Sequence, residues 1–164
     1  MTFRVISPNE AYESIHWQVI VLIAALIPLG IVIESSGTAA YIASSMIEYV
    51  DTYSPSIQPY ILFALIYFVT MVMTEVSSNT ATAIIMTPIV IAITGEMQLD
   101  SRPFIFAVCF AASASFSTPV GYQTNLMVYG PGGYKFSDYI KVGIPLALTF
   151  WFLAILIIPL IWPF

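Results

Sequence analysis

Charge is what this chain has least of. Four of its 164 residues are Lys or Arg and nine are Asp or Glu, so 8% are charged against 59% hydrophobic. An average soluble domain is about 25% charged. A body of this size with so few charges would turn much apolar surface toward water, which implies lipid as the solvent. Four scattered cations make neither a nucleic-acid footprint nor a polybasic lipid patch. A single cysteine, Cys109, excludes an internal disulfide and reads as a small core residue. The lone histidine, His16, flanks a span and reads as interfacial. Without a second cysteine or histidine there is no thiolate–imidazole metal cluster and no nucleophile–base pair, so an enzyme has little to stand on. Residues 1–13 are polar with one arginine and lack the basic n-region and small-residue cleavage site of a signal peptide.

What is present is apolar sequence, with a mean hydropathy of +0.92. The whole of 1–164 reads as one all-α integral membrane domain. Pro8 and Asn9 look like a helix start, with Glu10 and Glu13 in its first turns. Trp17 to Ile33 is long enough to span with its flanks, and Pro28 predicts a kink or a break near Ala25. Glu34 sits at the helix end near the interface. Thr38 to Val50 is short and amphipathic, as an interfacial helix would be. Residues 60–94 read as a re-entrant hairpin: two arms of roughly 14 apolar residues, each too short for a core of about 30 Å, meet at a polar tip. Pro88 suggests a bend in the second arm. Residues 103–130 read as one broken helix, unwound by Ser113, Ser115, Ser117, Thr118 and Pro119 and closed by Gly130 to Gly133. Lys135 to Lys141 is a short polar bridge, and 142–164 is the last transmembrane helix, with Trp151 and Trp162 as interface anchors. Arg4, Lys135 and Lys141 fall on one side and Arg102 on the other, which favours the first side as cytoplasmic.

The tip, Met73-Thr74-Glu75-Val76-Ser77-Ser78-Asn79-Thr80-Ala81-Thr82, carries the chemistry. A helix ending near Thr74 leaves about four carbonyls without intrahelical partners, and one starting near Thr80 leaves about four free N–H groups. Asn79 is a natural N-cap for the second helix. The first end offers oxygen ligands to a small hard cation, with Thr74, Ser77 and Asn79 adding side-chain oxygens. The second end offers donors and a positive dipole to an anion. Discontinuous helices in secondary transporters use this pairing. Such hydroxyls also serve as packing glue between membrane helices, but two hydroxyl-rich breaks in neighbouring segments favour a site. Glu75 is either a proton or cation partner or an acceptor for free N–H groups of the loop.

Thr74 to Thr82, followed one segment later by Ser117-Thr118-Pro119, resembles the second repeat of the divalent anion:sodium symporter family, whose members carry a citrate-transporter-like domain. The opening, Ala11 to Trp17 and on through Pro28-Leu29-Gly30, is similar to members with large cytosolic regulatory domains inserted just upstream. The resemblance implies half of an inverted-repeat secondary transporter, homodimeric and moving its substrate by an elevator-like displacement. Carried over by motif, Thr74, Ser77, Asn79 and Ser117 would surround sodium, the coupling ion. Ser78, Asn79, Thr80, Thr118 and Pro119 would face a small anionic substrate. Dicarboxylate carriers of the family usually read Thr-Pro-Pro-Asn at the second break, whereas Thr118-Pro119 continues here as Val120-Gly121-Tyr122-Gln123-Thr124-Asn125. An inorganic oxyanion such as sulfate is therefore as good a substrate as a dicarboxylate.

No second Ser-Asn-Thr tip occurs, so the other repeat is expected in the same longer chain or in a partner chain. The implied setting is the plasma (inner) membrane, with lipid as neighbour and no nucleic acid. Two other functions fit the same residues: a truncated, non-transporting scaffold or relic whose polar breaks merely pack helices, and half of an ion channel.

Overall fold

The computed structural model describes residues 12–15 and 17–164. The expected helix start at Pro8 and Asn9, together with Arg4 and His16, lies outside the described residues. From Trp17 onward the described chain is all-helical: α1 (Trp17–Ser35), α2 (Thr38–Val50), α3 (Gln58–Thr74), α4 (Asn79–Glu96), α5 (Ser101–Ala112), α6 (Gln123–Tyr129) and α7 (Phe136–Ile161). By length and composition, α4 and α7 are long and apolar enough to cross a membrane.

The core is the trio α3, α4 and α5, each packed on the other two. Leu62, Phe63, Ile66 and Tyr67 of α3 meet Val90 and Ile93 of α4 and Phe104, Ala107, Val108 and Ala111 of α5, all buried. These positions recur at helical spacing, so each helix turns one stripe inward. Helices α1 and α2 lie on the α4 side, and α7 lies against α3 and α5. The turn between α1 and α2 passes through Gly37 at φ 77°, a left-handed conformation that glycine adopts without a Cβ penalty.

Several expectations change here. Pro28 does not break its helix, since α1 runs on to Ser35, and α4 likewise runs through Pro88. Each proline removes a single rung of the backbone ladder, and the other rungs carry the helix across. The carbonyl that Pro88 leaves without its usual donor is that of Ile84, and Gly30 of α1 lies against it. The hairpin arms are longer than their apolar runs, with 17 residues in α3 and 18 in α4. The polar bridge from Lys135 to Lys141 is the first part of α7, whose 26 residues begin at Phe136. Asp138 causes this early start: its carboxylate accepts the Lys135 N–H at 2.8 Å, satisfying a donor at the helix N-terminus.

Cys109 is exposed, not a core residue, because it falls opposite the buried stripe of α5. Trp151 lies mid-helix, and its indole N–H donates to the Ala64 carbonyl of α3 at 2.9 Å. It ties two helices together. Trp162 stacks on Phe106 with ring centroids 4.2 Å apart.

Candidate functional site

The site begins where α3 stops. Thr74 is fully buried, and the N–H groups of Val76 and Ser77 both turn back to the Met73 carbonyl, at 3.2 and 3.0 Å. The chain then extends at Ser78 (φ −67°, ψ 146°), whose hydroxyl accepts the Ala81 N–H at 3.2 Å. Ser78 is therefore the N-cap of α4, and the expectation of that role for Asn79 is corrected. The cap goes to the residue whose short side chain reaches the N3 amide from extended backbone. Asn79 becomes the first helical residue and turns its side chain across the tip.

Thr74 Oγ1 lies 2.8 Å from Asn79 Oδ1 and 2.7 Å from the Ala112 carbonyl. One hydroxyl proton cannot serve two acceptors. Both contacts are satisfied when Thr74 donates to Ala112 and the Asn79 amide is turned to donate to Thr74. Thr74 in this way joins the end of α3, the start of α4 and the end of α5.

Non-helical backbone after α5 completes the arrangement. Ser115 Oγ donates to the Thr74 carbonyl at 3.3 Å. The Ser117 N–H donates to Glu75 Oε1 at 2.8 Å, and Thr118 Oγ1 donates to the Glu75 carbonyl at 3.0 Å. Thr118 Oγ1 also accepts the Gly121 N–H at 3.0 Å. Gly121 is buried here, and a Cβ on it would overlap Ser115 Oγ and stand 3.2 Å from the Thr74 carbonyl.

Of the sodium set, Thr74 and Asn79 touch, and Ser117 reaches the tip through Glu75. Ser77 is half-buried, and its backbone N–H closes the end of α3. Of the substrate set, Ser78 is exposed and Thr80 half-buried beside it, while Pro119 is buried against its own chain. The Thr118 hydroxyl already holds the break together on both sides. The contacts that Ser77 and Ser117 make here are through their backbone N–H groups.

Two buried oxygens in the described residues have no protein partner, Glu75 Oε2 and Thr82 Oγ1. The sequence marks Ser115, Gly121 and Asn125 as parts of the break and Tyr139 as part of the polar bridge, but none of them as a residue that holds the site together. A glycine inside a polar break was the signal available for Gly121. Tyr139 looked like part of a linker.

Among the described residues, two apolar helices of membrane length and two polar breaks drawn together are consistent with a membrane transport protein. The chain matches the citrate transporter family over residues 1–99 and 76–164. It belongs to that family. An uncharacterized transporter of Synechocystis sp. is 43% identical over 157 residues, covering 96% of this chain and 25% of the relative. An uncharacterized transporter of Escherichia coli is 35% identical over 162 residues, 99% of this chain and 26% of the relative. Sodium/sulfate cotransporter 1 of Chlamydomonas reinhardtii is 33% identical over 138 residues, 84% of this chain and 15% of the relative. The chain thus spans about a quarter or less of these curated relatives. Their names point to transport and away from catalysis.

Proposed function

We propose that this chain is the second-repeat half of a sodium-coupled symporter for a small divalent anion, sulfate before a dicarboxylate. The observation that carries the reading is the Thr74–Asn79 contact, which brings the carbonyl end of α3 and the amide end of α4 to one point. Oxygens at the first end bind sodium, and the positive end of α4 faces the anion. Each charge then lowers the desolvation cost of the other. Thr74, Ser77, Asn79 and Ser117 hold the ion, and Ser78, Asn79, Thr80, Thr118 and Pro119 line the anion's side. The names of the sodium/sulfate cotransporters among the relatives support sulfate and sodium.

In this reading α3 and α4 are the arms of a re-entrant hairpin, α5 and α6 are a broken helix, and α7 is the last span. The other repeat comes from the same longer chain or from another chain. The complete transporter is an inverted-repeat homodimer in the plasma (inner) membrane.

The test is uptake of radiolabelled sulfate, and separately of succinate, by full-length protein in proteoliposomes under an inward sodium gradient. Sodium-stimulated uptake that Asn79→Ala abolishes, with the variant still in the membrane, is the expected result. Equal uptake with potassium in place of sodium would overturn sodium coupling, and unchanged uptake by Asn79→Ala would overturn the site.

A further inference from the structure

Helix α6 has seven residues, none of them buried, and it meets α7 at Tyr139, whose ring centroid lies 6.0 Å from that of Tyr129. With no buried residue of its own, α6 depends heavily on polar contacts for its attachment. The Asn125 side-chain amide donates one N–H to the Ser115 carbonyl at 2.9 Å and the other to the Thr118 carbonyl at 3.1 Å. The backbone carbonyl of Asn125 accepts the Tyr139 hydroxyl of α7 at 2.9 Å. Both partners of the amide are carbonyls, so only its nitrogen can face them and its orientation is fixed.

The two carbonyls bracket Phe116 and Ser117. Ser117 is the residue whose N–H meets Glu75, and Thr118 is the one whose hydroxyl meets the Glu75 carbonyl. One side chain thus closes the loop that presents these groups to the hairpin tip. Non-helical backbone at membrane depth needs its polar groups satisfied by protein, and Asn125 satisfies two of them at once.

We infer that Asn125 is a positioning residue for the ion site: it clamps residues 115–118 in the shape that sets Ser117 against the tip, and Tyr139 anchors the clamp to α7. This rests on the sodium-symport reading. Aspartate is nearly isosteric with asparagine but has no N–H to give. Asn125→Asp would set carboxylate oxygens against two carbonyls and open the loop.

The experiment uses the full-length protein and two readouts. The first is amide hydrogen exchange of peptides covering residues 113–122, with the α3 peptide as internal reference. The second is sulfate uptake as a function of sodium concentration. Asn125→Asp should speed exchange in 113–122 by roughly tenfold or more, the scale of two lost hydrogen bonds, while α3 stays protected. It should also raise the sodium concentration for half-maximal uptake about tenfold, with maximal uptake recovered at saturating sodium. Tyr139→Phe keeps the ring, loses only the anchoring hydroxyl, and should move both readouts in the same direction by less. Should Asn125→Asp fail to fold, Tyr139→Phe decides alone. Unchanged exchange would overturn the clamp, and faster exchange with unchanged sodium dependence would overturn its positioning role. Wild-type protein without sodium-stimulated uptake would instead remove the symport reading, and the positioning role with it.

Discussion

Glu75 Oε1 accepts the backbone N–H of Ser117 at 2.8 Å, joining the hairpin tip to a break 42 residues further along the chain. Of the two roles open to this glutamate from sequence, acceptor of a loop N–H is the one the geometry displays. Replacing Glu75 by Ala leaves a part-buried N–H without its partner, a loss of about 1–3 kcal/mol. Gln keeps an acceptor oxygen in place. Thermal unfolding of the detergent-solubilised full-length protein should fall by several degrees for Glu75→Ala and by less than half as much for Glu75→Gln. Equal losses would mean that the bond to Ser117 contributes little.

Gly143 lets α7 touch the break directly. A Cβ there would overlap the Phe116 carbonyl oxygen and stand 2.6 Å from Ser117 Cα. Both contacts are backbone, so neither can swing aside, and Gly143→Ala must displace the loop or the helix. Overpacking of this kind costs about 1–3 kcal/mol. The expected outcome is weaker sodium-dependent uptake together with faster amide exchange at residues 113–122. Gly95→Ala, with open space around its Cβ position, is the matched control and should leave both unchanged.

Thr82 is fully buried, and its hydroxyl has no hydrogen-bond partner. An unpaired buried hydroxyl is destabilising, and valine has nearly the same shape without it. Thr82→Val should therefore be neutral or raise the unfolding temperature by a few degrees. A clear drop would show that the hydroxyl is engaged by a group outside this chain, such as the other repeat or a bound ion.

How much of this was legible in the sequence varies with the range of the interaction responsible. Helix positions followed from apolar runs and turn residues, so the arms around the tip and the break after Ala112 could be read directly. Boundaries set by local polar contacts could not. Asp138 draws α7 back to Phe136, and Ser78 takes the cap from Asn79. In both cases one side chain meets one amide three residues away, and several neighbouring residues could have filled the role. Cys109 was misjudged because its smallness says nothing about which face of α5 it occupies.

By itself, the sequence determined that the chain is helical and lives in lipid, because 8% charge cannot cover a soluble body of this size. It also determined where the helices are interrupted, because runs of hydroxyl, amide and glycine residues cannot continue an apolar span. Only the tertiary structure decided which interruptions meet. Thr74 bonds Ala112 across 38 residues, and Glu75 bonds Ser117 across 42. Those separations carry no periodic signal. They arise because α3, α4 and α5 pack as one core, and the end of α5 then falls beside the tip between the other two.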